Sequence, residues 1–326
     1  MRIVIPNFAT PDSFVENVSH TLRALGHEVW TLPPISRRLI AAPAVRMARE
    51  AASRVIPNRP RFEERWLLKT ARRFRPHVVL ALTQPLSDDT LATLKRLGVG
   101  ARVAWWGDPP ANMRGMGLLS DGWDYIFLKD RDAVAKFRRV GLNAELLHEA
   151  MNPSWHRPMA DQRHDRLAVA GNFYGYRQIL VLRLMQNGVP VDLYGGRLPR
   201  WAAPEIARCH SGRFIVREEK SKVFGAALGC LNSTSLSEGN SLNCRAFEVA
   251  GAGGLQFLEY RPALEECFDP GRELLVFHTF DELLELIQWA TRDRAGAQAV
   301  RHAGAARALA EHTYRHRLTR ILDCLR

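Results

Sequence analysis

No run of apolar residues in this sequence approaches the length of a membrane span, and Val78 to Leu82 is a short buried strand by length. Cysteine is scarce: there are five, an odd number, with no C-x-x-C spacing. That argues against a disulfide framework or a zinc site and fits a reducing cytoplasm. Lysine is scarce too, six of the 46 basic residues. No G-x-S-x-G, Walker A or H-E-x-x-H pattern occurs, no repeat at solenoid periods and no low-complexity tract. The opening Met1-Arg2-Ile3-Val4-Ile5-Pro6 reads as a first strand and not as a signal peptide.

What is present describes a globular chain. Apolar residues make up 46% and charged residues 25% of 326, enough for two domains with real cores. The net charge of +12 is unevenly placed. From Arg37 to Arg75 twelve basic residues face only Glu50, Glu63 and Glu64, so this stretch carries 12 − 3 = +9. Such a patch suits an anionic membrane surface, an anionic acceptor or a nucleic acid, and a solvated helical face fits it equally well.

The first half alternates strand and helix. Strands are expected at Ile3 to Pro6, Glu28 to Leu32, Val78 to Leu82, Arg102 to Trp106, Tyr125 to Leu128 and Glu145 to Leu147. Between the first two lies a helix, Ser13 to Leu25, with Asp12 as a cap and Gly26 as its stop; Arg37 to Phe74 reads as largely helical. The proline-bearing segment from 151 to 165 reads as a linker, after which the alternation restarts. Strands follow at Leu167 to Ala170, Val191 to Tyr194, Arg213 to Val216, Gly229 to Asn232, Gly254 to Leu258 and Leu274 to Phe277. A helix spans Tyr176 to Asn187, and the end is helical from Phe280 to Leu325. This pattern predicts an α/β fold of two parallel-sheet domains, 1–150 and 166–305, with a tail at 306–326. A cleft between them would hold ligands at the carboxyl ends of the strands.

The stretch from Gly239 to Gly254 carries the most chemistry. A polar turn, Gly239-Asn240-Ser241-Leu242-Asn243, opens a helix with Arg245 and Glu248 three positions apart on one face. Free N–H groups at a helix start suit a phosphate, and an arginine beside them strengthens the site. A carboxylate one turn further in accepts hydrogen bonds from sugar hydroxyls. A surface ion pair between Arg245 and Glu248 is the plainer reading. Asp108 follows an apolar strand and precedes Pro109; it reads as a general base facing the cleft or as a turn residue. Asp130-Arg131-Asp132 spells a D-x-D, but its place before a helix makes it a cap, and no bound metal is expected. His148 and His278 lie in apolar surroundings and read as structural. Trp105, Trp106 and Trp155 read as packing before they read as an acceptor surface.

Five segments in order carry a resemblance: Trp105-Trp106-Gly107-Asp108-Pro109-Pro110, Gly171 to Arg177, Leu193-Tyr194-Gly195, Asn240 to Glu248, and His312-Thr313-Tyr314-Arg315-His316-Arg317. Over most of its length the chain resembles the CgeB-like glycosyltransferases, a bacterial group of GT-B architecture. The resemblance implies two Rossmann-like domains, with a C-terminal helix crossing back to brace the first. It implies transfer of a sugar from a nucleotide-diphosphate donor, a co-substrate and no other cofactor, to a hydroxyl acceptor.

It also implies roles for single residues. Glu248 would hold the donor's ribose. Arg177 would contact the diphosphate, unless it is a solvated helical arginine. Ser241 to Asn243 would bring backbone N–H groups to the same phosphates, with Asn172 beside them in the segment that opens the second domain. Tyr194 and Gly195 would face the nucleobase or serve as an ordinary strand end. Asn7 would line the acceptor side or make an Asx turn, and His312 would position the tail. One position departs from the wider group: eight residues before Glu248 stands Asn240, not an acid, with Glu238 nearest. That leaves retention or inversion open and admits a silent nucleotide-binding scaffold. A nucleotide-sugar epimerase or hydrolase is one rival reading, and a basic nucleic-acid-binding protein, which the charge permits, is another. A nucleic-acid partner is not expected, since aromatic residues do not interleave with the basic run. The chain is expected in the cytoplasm, with peripheral contact to an anionic membrane through Arg37 to Arg75.

Overall fold

The structure is a computed structural model that describes residues 1–33, 47, 61–109, 117–159 and 162–326. Most of the basic stretch and of the helix expected from Arg37 to Phe74 therefore lies outside the described residues. The chain divides into two units. Counting described residues, the first is built from 1–108, 117–147 and 318–326, the second from Pro109 and 148–317.

The first unit contains β1 (Arg2–Phe8), α1 (Phe14–Ala24), β2 (Glu28–Leu32), α2 (Phe62–Phe74), β3 (Val78–Leu82), α3 (Asp88–Arg96), β4 (Ala101–Trp106), β5 (Tyr125–Leu128), α4 (Arg131–Arg139) and β6 (Ala144–Leu146). All pairings are parallel, in the order β2-β1-β3-β4-β5-β6. Residues of β3 and β4 are buried on both faces, which is why they read as continuous apolar runs and do not alternate. Three helix starts are capped by their own side chains: Ser13 accepts from Glu16 N–H, Ser87 from Thr90 and Asp130 from Ala133. Asp130 thus has the capping role expected of it. Asp12 does not cap α1: its backbone is left-handed (φ 56°) and the chain starts the helix one residue later. The exposed face of α2 carries Arg65, Lys69, Arg72 and Arg73, spaced at helical periods.

The second unit contains β7 (Leu167–Ala170), α5 (Gly175–Gln186), β8 (Val191–Tyr194), α6 (Arg217–Ala226), β9 (Gly229–Asn232), α7 (Cys244–Gly251), β10 (Gln256–Glu259) and β11 (Leu275–Phe277). The helices α8 (Phe280–Arg292) and α9 (Arg294–Glu311) follow, and α10 (Tyr314–Asp323) begins here while its residues from Leu318 on are counted with the first unit. Its parallel sheet runs β11-β10-β9-β7-β8. No strand forms at Arg213 to Val216. The chain just before it meets β8 through one isolated parallel bridge, Leu193 N–H to Cys209 O (2.8 Å) and Ser211 N–H to Leu193 O (2.9 Å), and Gly195 N–H adds a bond to Arg213 O (2.9 Å) without a ladder forming. The expected terminal helix is three helices. Asp293 breaks it by capping Gly296 N–H, and His312-Thr313 breaks it again.

That second break is a structural knot. Thr313 bridges Met151 in parallel pairing, with Met151 N–H to His312 O and Tyr314 N–H to Met151 O, both 3.0 Å. Arg317 donates to the carbonyls of His148 (3.1 Å) and Glu311 (3.0 Å) and to His312 Nδ1 (2.9 Å). His312 Nε2–H therefore donates to Cys267 O at 2.6 Å. The segment read as a linker, 151–165, falls within the second unit, with Met151, Asn152 and His156 buried.

Burial pushes the His312 imidazole from 6.5 down to about 4. Between those values the unfolded chain binds a proton that the folded chain does not. Stability is therefore full above pH 6.5 and falls as pH drops toward 4, by up to about 3 kcal/mol at ~1.36 kcal/mol per pH unit. Urea unfolding at pH 7 and pH 5 should differ by about 2 kcal/mol from this group. The His312→Gln variant should lose that part of the difference, and an equal pH dependence in the two proteins would refute the assignment.

Candidate donor site in the second unit

In an open parallel sheet, ligands gather where neighbouring connections diverge, at the carboxyl ends of the strands. In the second unit that point is between β7 and β9. The loop after β7 starts at Gly171, whose φ of +114° disfavours any side chain; a Cβ there would sit 2.1 Å from a guanidinium nitrogen of Arg245. Gly195, after β8, is needed for close approach: a Cβ would sit 2.6 Å from Gly171 O.

Arg177, on the first turn of α5, is almost completely buried and turned inward. Its Nε donates to Ser233 Oγ (3.1 Å), and its terminal nitrogens donate to Ser233 O (3.0 Å), Tyr174 Oη (2.9 Å) and the carbonyl of Asn172. It also lies 4.5 Å over the Tyr174 ring. The residue expected to grip a phosphate is instead the bolt that fastens the loop after β7 to the end of β9. Burial first, and then the neighbouring charge of Arg245, lower it to about 10, and no carboxylate acts on it. Asn172 contributes its carbonyl while the residue itself is exposed.

The start of α7 is open. Asn243 occupies the cap position, yet its side chain makes no capping bond. It exchanges hydrogen bonds with Asn232 (3.1 and 3.2 Å), Asn232 donates to Gln256 Oε1 (3.0 Å), and Gln256 donates to Ala246 O (3.2 Å). No acid lies in the first turn. Arg245 stands beside it over Gly171 and, among the described residues, makes no hydrogen bond or ion pair. The charge of Arg245 thus stands beside an uncapped helix start and close enough to Arg177 for the two to repel.

Glu248 is buried and does not pair with Arg245. Its Oε1 takes the ammonium of Lys220, on α6, at 2.9 Å and lies 4.0 Å from His156 Nε2. Asn152 N–H donates to His156 Nδ1 (3.1 Å), which turns the ring hydrogen on Nε2 toward Glu248. Glu248 Oε2 takes part in neither contact. Ser241 is fully buried, its hydroxyl donating to the carboxylate and the carbonyl of Glu238 at 3.0 Å each. The loop from 233 to 243 is also tied to β10 and the turn after it: Thr234 donates to Glu259 at 3.1 Å, where Tyr176 of α5 donates too, and Arg261 donates to Gly239 O at 2.8 Å. Tyr194 packs into the core with Ile215 and Phe224, and burial raises its phenol.

Residues 155–323 match the model of the glycosyl transferase-like family. That is more than half of the chain. The chain belongs to this family. Comparison with curated proteins returns no match. Among solved structures, the sucrose-phosphate synthase of Thermosynechococcus elongatus is 14% identical with a TM-score of 0.70, covering 99% of this chain and 98% of that one. HepE of Anabaena, solved with UDP-glucose, is 10% identical with a TM-score of 0.64, covering 99% of each chain. AviGT4, a glycosyltransferase involved in avilamycin A biosynthesis, is 16% identical with a TM-score of 0.62, covering 100% of this chain and 97% of that one. At these identities what is shared is the GT-B fold, two parallel α/β sheets in one chain.

Two other expected residues of this glycosyltransferase, Asn7 and Asp108, lie in its first unit. Asn7 is used up at the end of β1, donating to Leu82 O (2.8 Å) and accepting from Leu82 N–H (3.1 Å), which extends the β1–β3 pairing by a side chain. Asp108 lies just past β4, with its side exposed; the surrounding protein raises its carboxyl while the ammonium of Lys129 opposes the shift. Trp105, Trp106 and Trp155 are buried packing. His278 is exposed and stacked on Tyr260, not apolar-bound as expected. Sequence reasoning missed Ser233 and Lys220. Ser233 follows an apolar strand within Ser-Thr-Ser, a findable signal; Lys220 sits in a Glu-Glu-Lys run that reads as surface helix.

Proposed function

We propose that the chain transfers a sugar from a nucleotide-diphosphate donor to a hydroxyl acceptor, with the donor diphosphate lying against Arg245 and the open first turn of α7. The carrying observation is the pair of arginines, one buried without a carboxylate and one without a partner among the described residues, at an uncapped helix start. An anion of high charge density satisfies all three at once. HepE, with the same fold, is solved with UDP-glucose, which supports a nucleotide sugar as that anion. Glu248 then offers Oε2 to the ribose hydroxyls, with Lys220 holding Oε1. Arg177 acts by position and charge and not by contact. Asp108 is the candidate base, its raised carboxyl suited to taking a hydroxyl proton. Charge on the leaving diphosphate is met by the protein's own groups in this reading, with no bound metal.

The finer placement among CgeB-like enzymes is supported by the His312 to Arg317 knot, which gives that segment a physical reason. The exposed basic face of α2 supports contact with an anionic surface. Among the described residues no helix is long and apolar enough to cross a membrane.

The test is a thermal-shift screen with UDP, GDP, dTDP and CDP and their common sugars. A ligand at ~100 times its Kd stabilises the folded state by about 2.7 kcal/mol. One base should give a clear shift that Glu248→Ala abolishes. No shift with any of them would remove the donor reading.

A further inference from the structure

Large apolar side chains left in water are common singly and informative only when something holds them there. Trp201 is 55% exposed and is held. One face of its indole stacks on Phe173 at 5.6 Å and 25°, and Phe173 itself packs against the core of the second unit. The backbone around it is fixed: Ala202 N–H closes a turn onto Pro199 O (3.0 Å), and Ala203 N–H donates to Gln178 Oε1 on α5 (2.7 Å). The result is a rigid flat ring with its second face free.

Two arginines precede it in the same loop. Arg197 and Arg200 are exposed and, among the described residues, make no hydrogen bond or ion pair. From Gly195 to Val216 the only acid is Glu205, against Arg197, Arg200, Arg208 and Arg213, of which Arg213 pairs with Glu219. The ledge therefore has a surplus of unspent positive charge beside an aromatic face.

We propose that this ledge is a binding subsite for an anionic glycan, one sugar ring lying on the free face of Trp201 and its carboxylate, sulfate or phosphate held by Arg197 and Arg200. A pyranose presents a patch of C–H bonds that packs on an aromatic face, and a pre-stacked indole loses little freedom on binding. Planar guanidinium groups suit the flat oxygen pairs of such anions. A membrane surface is the weaker fit, because one ring clamped on Phe173 is not free to insert. The ledge shares the loop after β7 with the candidate donor site, Phe173 standing between Asn172 and Tyr174, which both contact Arg177. That the glycan is the acceptor rests on the transferase reading; the binding itself does not.

The experiment is calorimetric titration of the full chain with tetragalacturonate, a sulfated and a phosphorylated oligosaccharide, and neutral maltotetraose. Vesicles of phosphatidylglycerol in phosphatidylcholine are tested by sedimentation. At least one anionic sugar should bind tenfold or more tighter than the neutral one. Trp201→Ala should weaken it tenfold or more, with Trp201→Tyr retaining most of the affinity. The Arg197→Gln/Arg200→Gln double variant should erase the preference for the anionic sugar. All these variants should keep the parent's melting temperature and its nucleotide-sugar thermal shift, so failure here is separable from failure of the donor reading. Absence of binding by every anionic sugar, or equal binding by parent and variants, overturns the proposal. So does vesicle binding lost in Trp201→Ala where no sugar binds.

Discussion

Replacing Arg245 with alanine should weaken nucleotide-diphosphate binding about 30- to 100-fold, ~2–3 kcal/mol for a charged hydrogen-bonding partner of a phosphate. It should leave the melting temperature unchanged or raise it. Both halves follow from the same geometry. Arg245 packs over Gly171 but makes no hydrogen bond or ion pair that its removal would break, among the described residues, and its charge works against the buried Arg177. Its loss therefore relieves repulsion in the empty protein and is felt only when the ligand arrives. Lysine at 245 should recover part of the affinity, since it keeps the charge but not the planar fork. Calorimetric titration with the nucleotide chosen by the thermal screen, beside a melting curve, reads both quantities. An unchanged Kd would dismiss Arg245 as a ligand, and a large fall in stability would mean that its role is structural. Arg177→Met should show the reverse pattern, because five donated hydrogen bonds fix the loop after β7.

Arg301→Met should destabilise the second unit by about 4–5 kcal/mol in urea, near the upper end for a single substitution. Arg301 is buried on α9 and donates to the carbonyls of Ala227 (2.7 Å), Leu228 (2.8 Å), Gly225 (3.3 Å) and Gly253 (3.3 Å). These belong to the end of α6, the turn into β9 and the turn after α7. Burial lowers the guanidinium to about 10, which leaves it charged at neutral pH. Methionine fills much of the volume but leaves those carbonyls without a donor in a place water does not reach. A loss under ~1 kcal/mol would show that they find other partners. Lysine should rescue less than half of the loss, because one ammonium cannot span four acceptors.

How much of this was legible beforehand differs by level. Strands β3, β5 and β7 fall at the expected residues because parallel strands buried on both faces are unbroken apolar runs, and β2, β8 and β9 also fall there, although β2 is an edge strand with Glu28 and Trp30 exposed. Arg213 to Val216 has the same apolar look but forms no strand: the chain meets the open edge of β8 just before it, through one isolated bridge between Leu193 and His210, and the pairing goes no further than Arg213. The terminal helices have continuous helical periodicity, and what interrupts them is tertiary: His312 and Thr313 are claimed by Met151 and Cys267. The site was legible as a segment and less so by residue. Arg245 beside an open helix start follows from order along the chain. The inward turn of Arg177, the Asn232–Asn243 exchange and the Lys220–Glu248 pair depend on which strand neighbours which, and spacing carries no word of that.

The buried arginines change what the formal charge means. Arg177 and Arg301 each keep a positive charge inside the second unit with no carboxylate acting on it, so two of the twelve net charges are spent on carbonyls and hydroxyls. A cation-exchange resin or a polyanion in solution meets only what the surface displays. The protein should elute earlier from such a resin than its sequence pI of about 10 suggests, and chemical blocking of arginine by a dicarbonyl reagent should go to completion only after unfolding.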